Sequence, residues 1–298
     1  MADSLTLVAM DATLRLRTRP WIWPGLLSLD APIVAVLWLL LFSDSLRIRV
    51  PATETAVLAM AVWLIYVADR IMDSFRESEQ EPLAPRHRFY REHRAAFVAP
   101  FCVILLLAAW MAWTKLDERT LRGGVALAAI VAAYFGVVHL SGSAAQRWFP
   151  KELAVAVLFC AGTCLPVFVR SGSLSIPVVA VFIEFVLVAW MNTALIEYAE
   201  WIALRDGGAE QPPALTKAVA RAMVPLGITI GALSLVALAV PAFRDLRPVL
   251  LAEFGSALAL VGLRLSWQRI STYVLRISAD AVLCTPAVLL GVMALLRR

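Results

Sequence analysis

The chain has 298 residues, is 61% hydrophobic and only 16% charged, and has a mean hydropathy of +0.79. That balance leaves too much apolar surface and too little charge for an ordinary water-soluble domain, so it excludes one and selects a polytopic membrane protein. The formal net charge of +5 falls between the apolar runs. There it is a topology signal and an attraction for anionic lipid or an anionic substrate, and not a nucleic-acid surface.

A helix that crosses the hydrocarbon needs about 20 mainly apolar residues, and the sequence predicts nine such segments. In chain order they are Leu26–Phe42, Thr55–Met72, Ala95–Thr114, Gly123–Gly142, Glu152–Val169, Ile176–Trp201, Ala218–Phe243, Pro248–Leu263 and Ala279–Leu296. No repeat of fixed period, low-complexity tract or long linker divides them, so residues 1–298 are expected to form one all-α membrane bundle. Arg15, Arg17 and Arg19 precede a first apolar run followed directly by others, a pattern read as a signal anchor without a cleaved leader.

Orientation follows from where Lys and Arg fall. With the N-terminus inside, the cytoplasmic segments hold Arg15 to Arg19, the six arginines from Arg70 to Arg94, Arg147, Lys151, Arg205, Lys217, Arg221, Arg264, Arg269 and Arg276. That is 17 of the 27 basic residues, a bias that predicts a cytoplasmic N-terminus and a C-terminus on the opposite side. Cys102, Cys160, Cys164 and Cys284 all lie within apolar segments, which argues against a disulfide framework.

Against this apolar background the informative residues are carboxylates. The second segment is uncharged from Thr55 to Ala68 and then runs Asp69-Arg70-Ile71-Met72-Asp73. Residues four apart share a helix face, so Asp69 and Asp73 project together, with Glu77 one turn further along. Carboxylate at that depth needs pairing, water or a metal. In the sixth segment Glu184 stands near mid-membrane, and Asn192, Glu197 and Glu200 mark its cytoplasmic end before Arg205 and Asp206. Both acidic groups therefore fall on one side of the membrane, where facing carboxylates can hold Mg²⁺ and, through it, a diphosphate. Bland readings stand beside these. Interfacial carboxylates can pair with nearby arginines, Glu184 can be a protonated structural group, and His139 is read as a packed side chain. The run Arg86-His87-Arg88-Phe89-Tyr90-Arg91-Glu92-His93-Arg94 fits lipid contact or an electrostatic funnel. Arg264, Arg269 and Arg276 with Trp267 and Tyr273 read as an interfacial anchor.

The placement of two acidic motifs after the second and sixth of nine predicted helices resembles the UbiA-type intramembrane prenyltransferases. Asp69-Arg70-Ile71-Met72-Asp73 matches the second half of that family's first motif, with Ile65 and Tyr66 where it usually has Asn and Asp. Glu197-Tyr198-Ala199-Glu200 stands in the place of its second motif, with Asp206 as a substitute for the last carboxylate, and Tyr134 and Lys151 occupy places comparable to a family Tyr and Lys. The resemblance implies Mg²⁺ held by Asp69, Asp73, Glu197 and Glu200, and isoprenyl diphosphate gripped by Arg70, Lys151 and Arg205. It also implies cation shielding by Tyr66, Tyr134 and Tyr198. The implied activity is transfer of an isoprenyl group to a lipophilic acceptor at the cytoplasmic face of a bacterial-type plasma membrane. Two alternatives stay open: a terpene cyclase or diphosphate lyase of the same fold, and a non-catalytic lipid-binding or transporter-like protein.

Overall fold

The computed structural model describes residues 23–76, 93–140, 150–172, 174–204 and 211–296. After a single helical turn, Trp23–Leu26, the helices are α1 Asp30–Ser45, α2 Ala52–Arg76, α3 Arg94–Lys115, α4 Glu118–Leu140, α5 Lys151–Ser171 and α6 Ile176–Leu204. Then follow α7 Ala214–Arg221, α8 Met223–Ala239, α9 Arg247–Ser266, α10 Thr272–Val282 and α11 Thr285–Leu296, with 3₁₀ turns at Pro241–Leu246 and Trp267–Arg269. There is no strand among the described residues, as expected where lipid leaves the backbone to satisfy its own hydrogen bonds.

Among the described residues, seven helical stretches are long and apolar enough to cross a membrane, and eight if the bent pair α7–α8 is one span. The protein is a helical membrane protein. The sequence reading of nine differs at α1, whose 16 residues reach about 24 Å at 1.5 Å per residue, short of a roughly 30 Å hydrocarbon core.

Helix α1 lies in the middle of the bundle. Ala35, Trp38, Leu39, Leu41 and Phe42 are fully buried, and Trp38 stacks on Phe185 of α6 with ring centroids 4.2 Å apart. Helix α6 has no glycine among its 29 residues, and its Pro177 sits at the second position, where a missing N–H costs nothing. It is the other core element, and α3 and α4 are the peripheral ones, exposing Leu106, Trp113 and Val125 to lipid.

Two predicted spans are broken. The reading of Ala218–Phe243 as one helix fails at Ala222, where α7 and α8 meet at a bend of 68°. Pro225 has no N–H for the Arg221 carbonyl and disfavours helix in the residue before it. The last span begins at Thr272, seven residues before the predicted Ala279, and breaks between Val282 and Thr285. Pro286 cannot donate to the Val282 carbonyl, and the Leu283 and Ala287 amides turn to Asp280 and Cys284 in tight 3₁₀ geometry. The carbonyls so released take side-chain donors from three other helices: Asn192 Nδ2 to Ala279 (2.6 Å), Ser256 Oγ to Val282 (3.1 Å) and Trp38 Nε1 to Leu283 (2.8 Å). These bonds fasten the break to α6, α9 and α1.

The α8–α9 contact depends on small residues. A Cβ on Gly227 would lie 2.4 Å from Val261 Cγ2 and 3.2 Å from the Ala257 carbonyl oxygen. Gly231, one turn on, meets Phe254, the small-xxx-small spacing by which membrane helices approach closely.

Candidate functional site

The carboxyl end of α6, the middle of α2 and the start of α5 enclose a cavity of about 250 Å³. Tyr66 and Asp69 reach it from α2, Tyr134 from α4, Lys151 and Glu152 from α5, and Asn192 and Glu197 from α6. Asp30 enters from the first turn of α1, and Arg276 and Asp280, four apart on one face, from α10. Five carboxyl side chains therefore line the chamber against two cationic ones, a formal excess of three negative charges.

Part of that charge is compensated locally. Lys151 Nζ lies 3.0 Å from Glu197 Oε1 and 3.7 Å from Glu152 Oε1. Thr216 Oγ1 of α7 donates to the other Glu152 oxygen, which is how the short bent helix closes over the start of α5. Arg276 lies 3.1 Å from Glu200 Oε1.

Of the residues singled out in the sequence, the structure brings Tyr66, Asp69, Tyr134, Lys151 and Glu197 to the chamber wall. Among the described residues, Arg70, Tyr198 and Glu200 stand outside its lining. Tyr198 turns toward α9, with its ring centroid 5.8 Å from Trp267 and 5.7 Å from Trp201. The side chains of Asp73 and His139 lie outside the described residues, as do Glu77, Arg205, Asp206 and the run from Arg86 to Glu92.

Arg276 corrects the reading of it as an interfacial anchor: its partner is Glu200 and its surroundings are the chamber. Asp30, Glu152 and Asp280 were not singled out. Asp30 lies inside the predicted segment Leu26–Phe42, and Asp280 inside the last one, which was started at Ala279. The four-residue spacing of Arg276 and Asp280 was a signal that could have found Asp280.

Beyond the chamber lies a second, largely apolar cavity of about 190 Å³, walled by α2, α4 and α5. Ile65, Tyr66, Tyr134, Val155 and Phe159 line both, so the two adjoin along a shared wall. The apolar channel ends at Glu54, Leu116 and Thr120. There Arg170 donates through both terminal nitrogens to the buried Glu54, one contact at 2.6 Å, and also to Asp117 at 2.8 Å. Asp117, in the α3–α4 connection, accepts from the Thr120 amide at 3.0 Å and the Thr120 hydroxyl at 2.8 Å. The bond from the Thr120 amide, with help from its hydroxyl and Arg170, holds the Asp117 carboxyl below its ordinary range.

Among the described residues no group of three or more His, Cys, Asp or Glu side chains is gathered closely enough to cage a metal. All four cysteines are free. No protein-family model matches the chain, and no curated protein or solved structure matches it either. The class that fold and site define is a helical membrane protein with an acidic chamber beside an apolar channel.

Proposed function

We propose that the chain is an intramembrane isoprenyltransferase. In this reading it moves an isoprenyl group from its diphosphate to a lipophilic acceptor, with the chamber opening on the cytoplasmic side. The observation that carries the proposal is an acidic, cation-bearing chamber adjoining an apolar channel across Tyr66 and Tyr134, an arrangement that suits a molecule with a highly charged head and a hydrocarbon tail.

The chamber's donors are oxygen atoms with excess negative charge, the chemistry that a hard divalent cation selects, and Mg²⁺ takes one or two carboxylates beside substrate phosphate. Asp69 and Glu197 would hold it, with Asp73 on the next turn of α2. Mg²⁺, when bound, neutralises the diphosphate and makes it a better leaving group. Lys151 can exchange Glu197 for a phosphate oxygen as a mobile point charge, and Arg276 can offer its planar fork in the same way. Arg70 and Arg205 remain further candidates for the diphosphate. When the carbon–oxygen bond breaks, the electron pair leaves with the diphosphate. The faces of Tyr66 and Tyr134, at the junction with the channel, then shield the allylic cation. The acceptor closes the cycle by bonding to that carbon and releasing a proton to a chamber carboxylate.

One observation favours a second reading. Glu197 and Glu200 are already matched by Lys151 and Arg276, as in a non-catalytic lipid-binding or transporter-like protein whose acids serve ion pairs.

The test is consumption of isoprenyl diphosphates by the detergent-solubilised full chain, with and without Mg²⁺, beside Asp69→Asn and Asp73→Asn. Metal-dependent turnover that both variants lose supports the enzyme, and the product separates transfer from cyclisation or lysis. If no diphosphate is bound or consumed while the variants melt like the wild type, the second reading stands.

A further inference from the structure

Glu253, in the second turn of α9, is fully buried, and among the described residues no amide, hydroxyl or cationic donor reaches its carboxyl oxygens, which leaves the carboxyl of Glu184 as the group it meets. Glu184 faces it from α6. The Ser234 hydroxyl of α8, itself fully buried, lies 2.9 Å from Glu184 Oε2 and donates to it. Glu184 stands 13 residues before Glu197 on the same helix, about 20 Å at 1.5 Å per residue, and neither Glu184 nor Glu253 belongs to the chamber lining. This is a separate feature at a different depth.

Among the described residues, no lysine or arginine forms an ion pair with either glutamate. The titratable groups that face Glu253 from α5 are the thiols of Cys160 and Cys164, both buried. Thr163, three residues beyond Cys160 on that helix, has a buried hydroxyl with no hydrogen-bond partner. On the α9–α11 side, Ser256 and Thr285 hydroxyls are engaged with each other and with backbone carbonyls.

Two carboxylates cannot both remain charged and uncompensated in this setting. Burial penalises each, and each repels the other. Positive charge must be supplied, and with no side chain to supply it the source is a ligand. Two carboxyls and nearby hydroxyls offer too few oxygens for Ca²⁺, which takes six to eight, but enough for a single small charge. We infer that Glu184 and Glu253, with Ser234, form an intramembrane site for one monovalent cation, either H⁺ or Na⁺.

The experiment is thermal unfolding of the full chain in detergent, from mildly acidic to mildly alkaline pH, in sodium chloride and in choline chloride. Wild type is compared with Glu253→Gln and Glu184→Gln. A saturable rise in melting temperature with Na⁺, absent in choline and lost in Glu253→Gln, identifies Na⁺. A melting temperature that falls as pH rises, indifferent to Na⁺ and flattened by Glu253→Gln, identifies a proton. Glutamine has the shape of a protonated glutamate, so the variant keeps the packing. If Glu253→Gln fails to accumulate, Glu184→Gln carries the same comparison. Identical pH and salt responses in wild type and variants overturn the inference.

Discussion

Arg170 bridges Glu54 and Asp117 at the Glu54 end of the apolar channel, where Glu54 is only 3% exposed and Arg170 23%. Removing the cation leaves Glu54 buried and uncompensated, so Arg170→Met is expected to destabilise the protein by about 3–5 kcal/mol. The double variant with Glu54→Gln should recover most of that loss in a denaturant or thermal melt. Asp117 adds a pH dependence of known sign. Its carboxyl is held below the ordinary range when folded, so its contribution is complete above the unfolded value of about 3.9 and is lost as pH falls through the folded one. The wild-type melting temperature should therefore drop below about pH 4, and Asp117→Asn should remove that part of the slope. An unchanged slope in the variant would show that other carboxylates set the acid limit.

Helix packing makes the next level testable, because two glycines in similar apolar surroundings have opposite environments. A methyl on Gly227 meets Val261 and the backbone of α9, whereas a methyl on Gly124 meets nothing within 4 Å. Overpacking of a tight contact costs about 1–3 kcal/mol, so Gly227→Ala should lower stability by that amount while Gly124→Ala leaves it unchanged or slightly raised. Equal melting temperatures for the two variants would mean that α8 and α9 are held apart more than their contacts indicate. The same level explains why the break between α10 and α11 is stable. Its three released carbonyls are each covered by a side chain from another helix, and Asp280 is carried at that break to the chamber wall.

Across the whole molecule, the proposed function makes the channel a measuring device. From Tyr66 to Glu54 on α2 is 12 residues, about 18 Å at 1.5 Å per residue. An extended chain advances about 1.2 Å per bond, by the reach of a polypeptide, so the channel accommodates about 15 bonds, or three to four isoprene units. Gly124 lines it one turn from Thr120. Gly124→Leu should shift preference toward shorter isoprenyl diphosphates by about tenfold or more, the scale on which apolar pockets discriminate chain size. A length profile unmoved by that substitution, in an enzyme that still turns over, would place the tail elsewhere.

Hydrophobicity and charge are local properties, and the features that follow from them were legible in the chain. The helical membrane class, the apolar stretches, the free cysteines and the acidic ends of the second and sixth segments could all be read from it, whereas Tyr66, Tyr134 and Lys151 were named only through the family resemblance. What could not be read depends on neighbours distant in sequence. A leucine facing lipid and one facing a helix have the same hydropathy, so nothing local marked α1 as central or α4 as peripheral. Arg276 and Glu200 are 76 residues apart, Arg170 and Glu54 are 116 apart, and no periodicity predicts such pairs. Glu253 lay unnoticed within an apolar run. By itself the sequence determined which segments leave water, because transfer free energy sums along the chain. Only the tertiary structure decided which charges meet, because each buried charge is tolerable only beside the particular groups that packing brings to it.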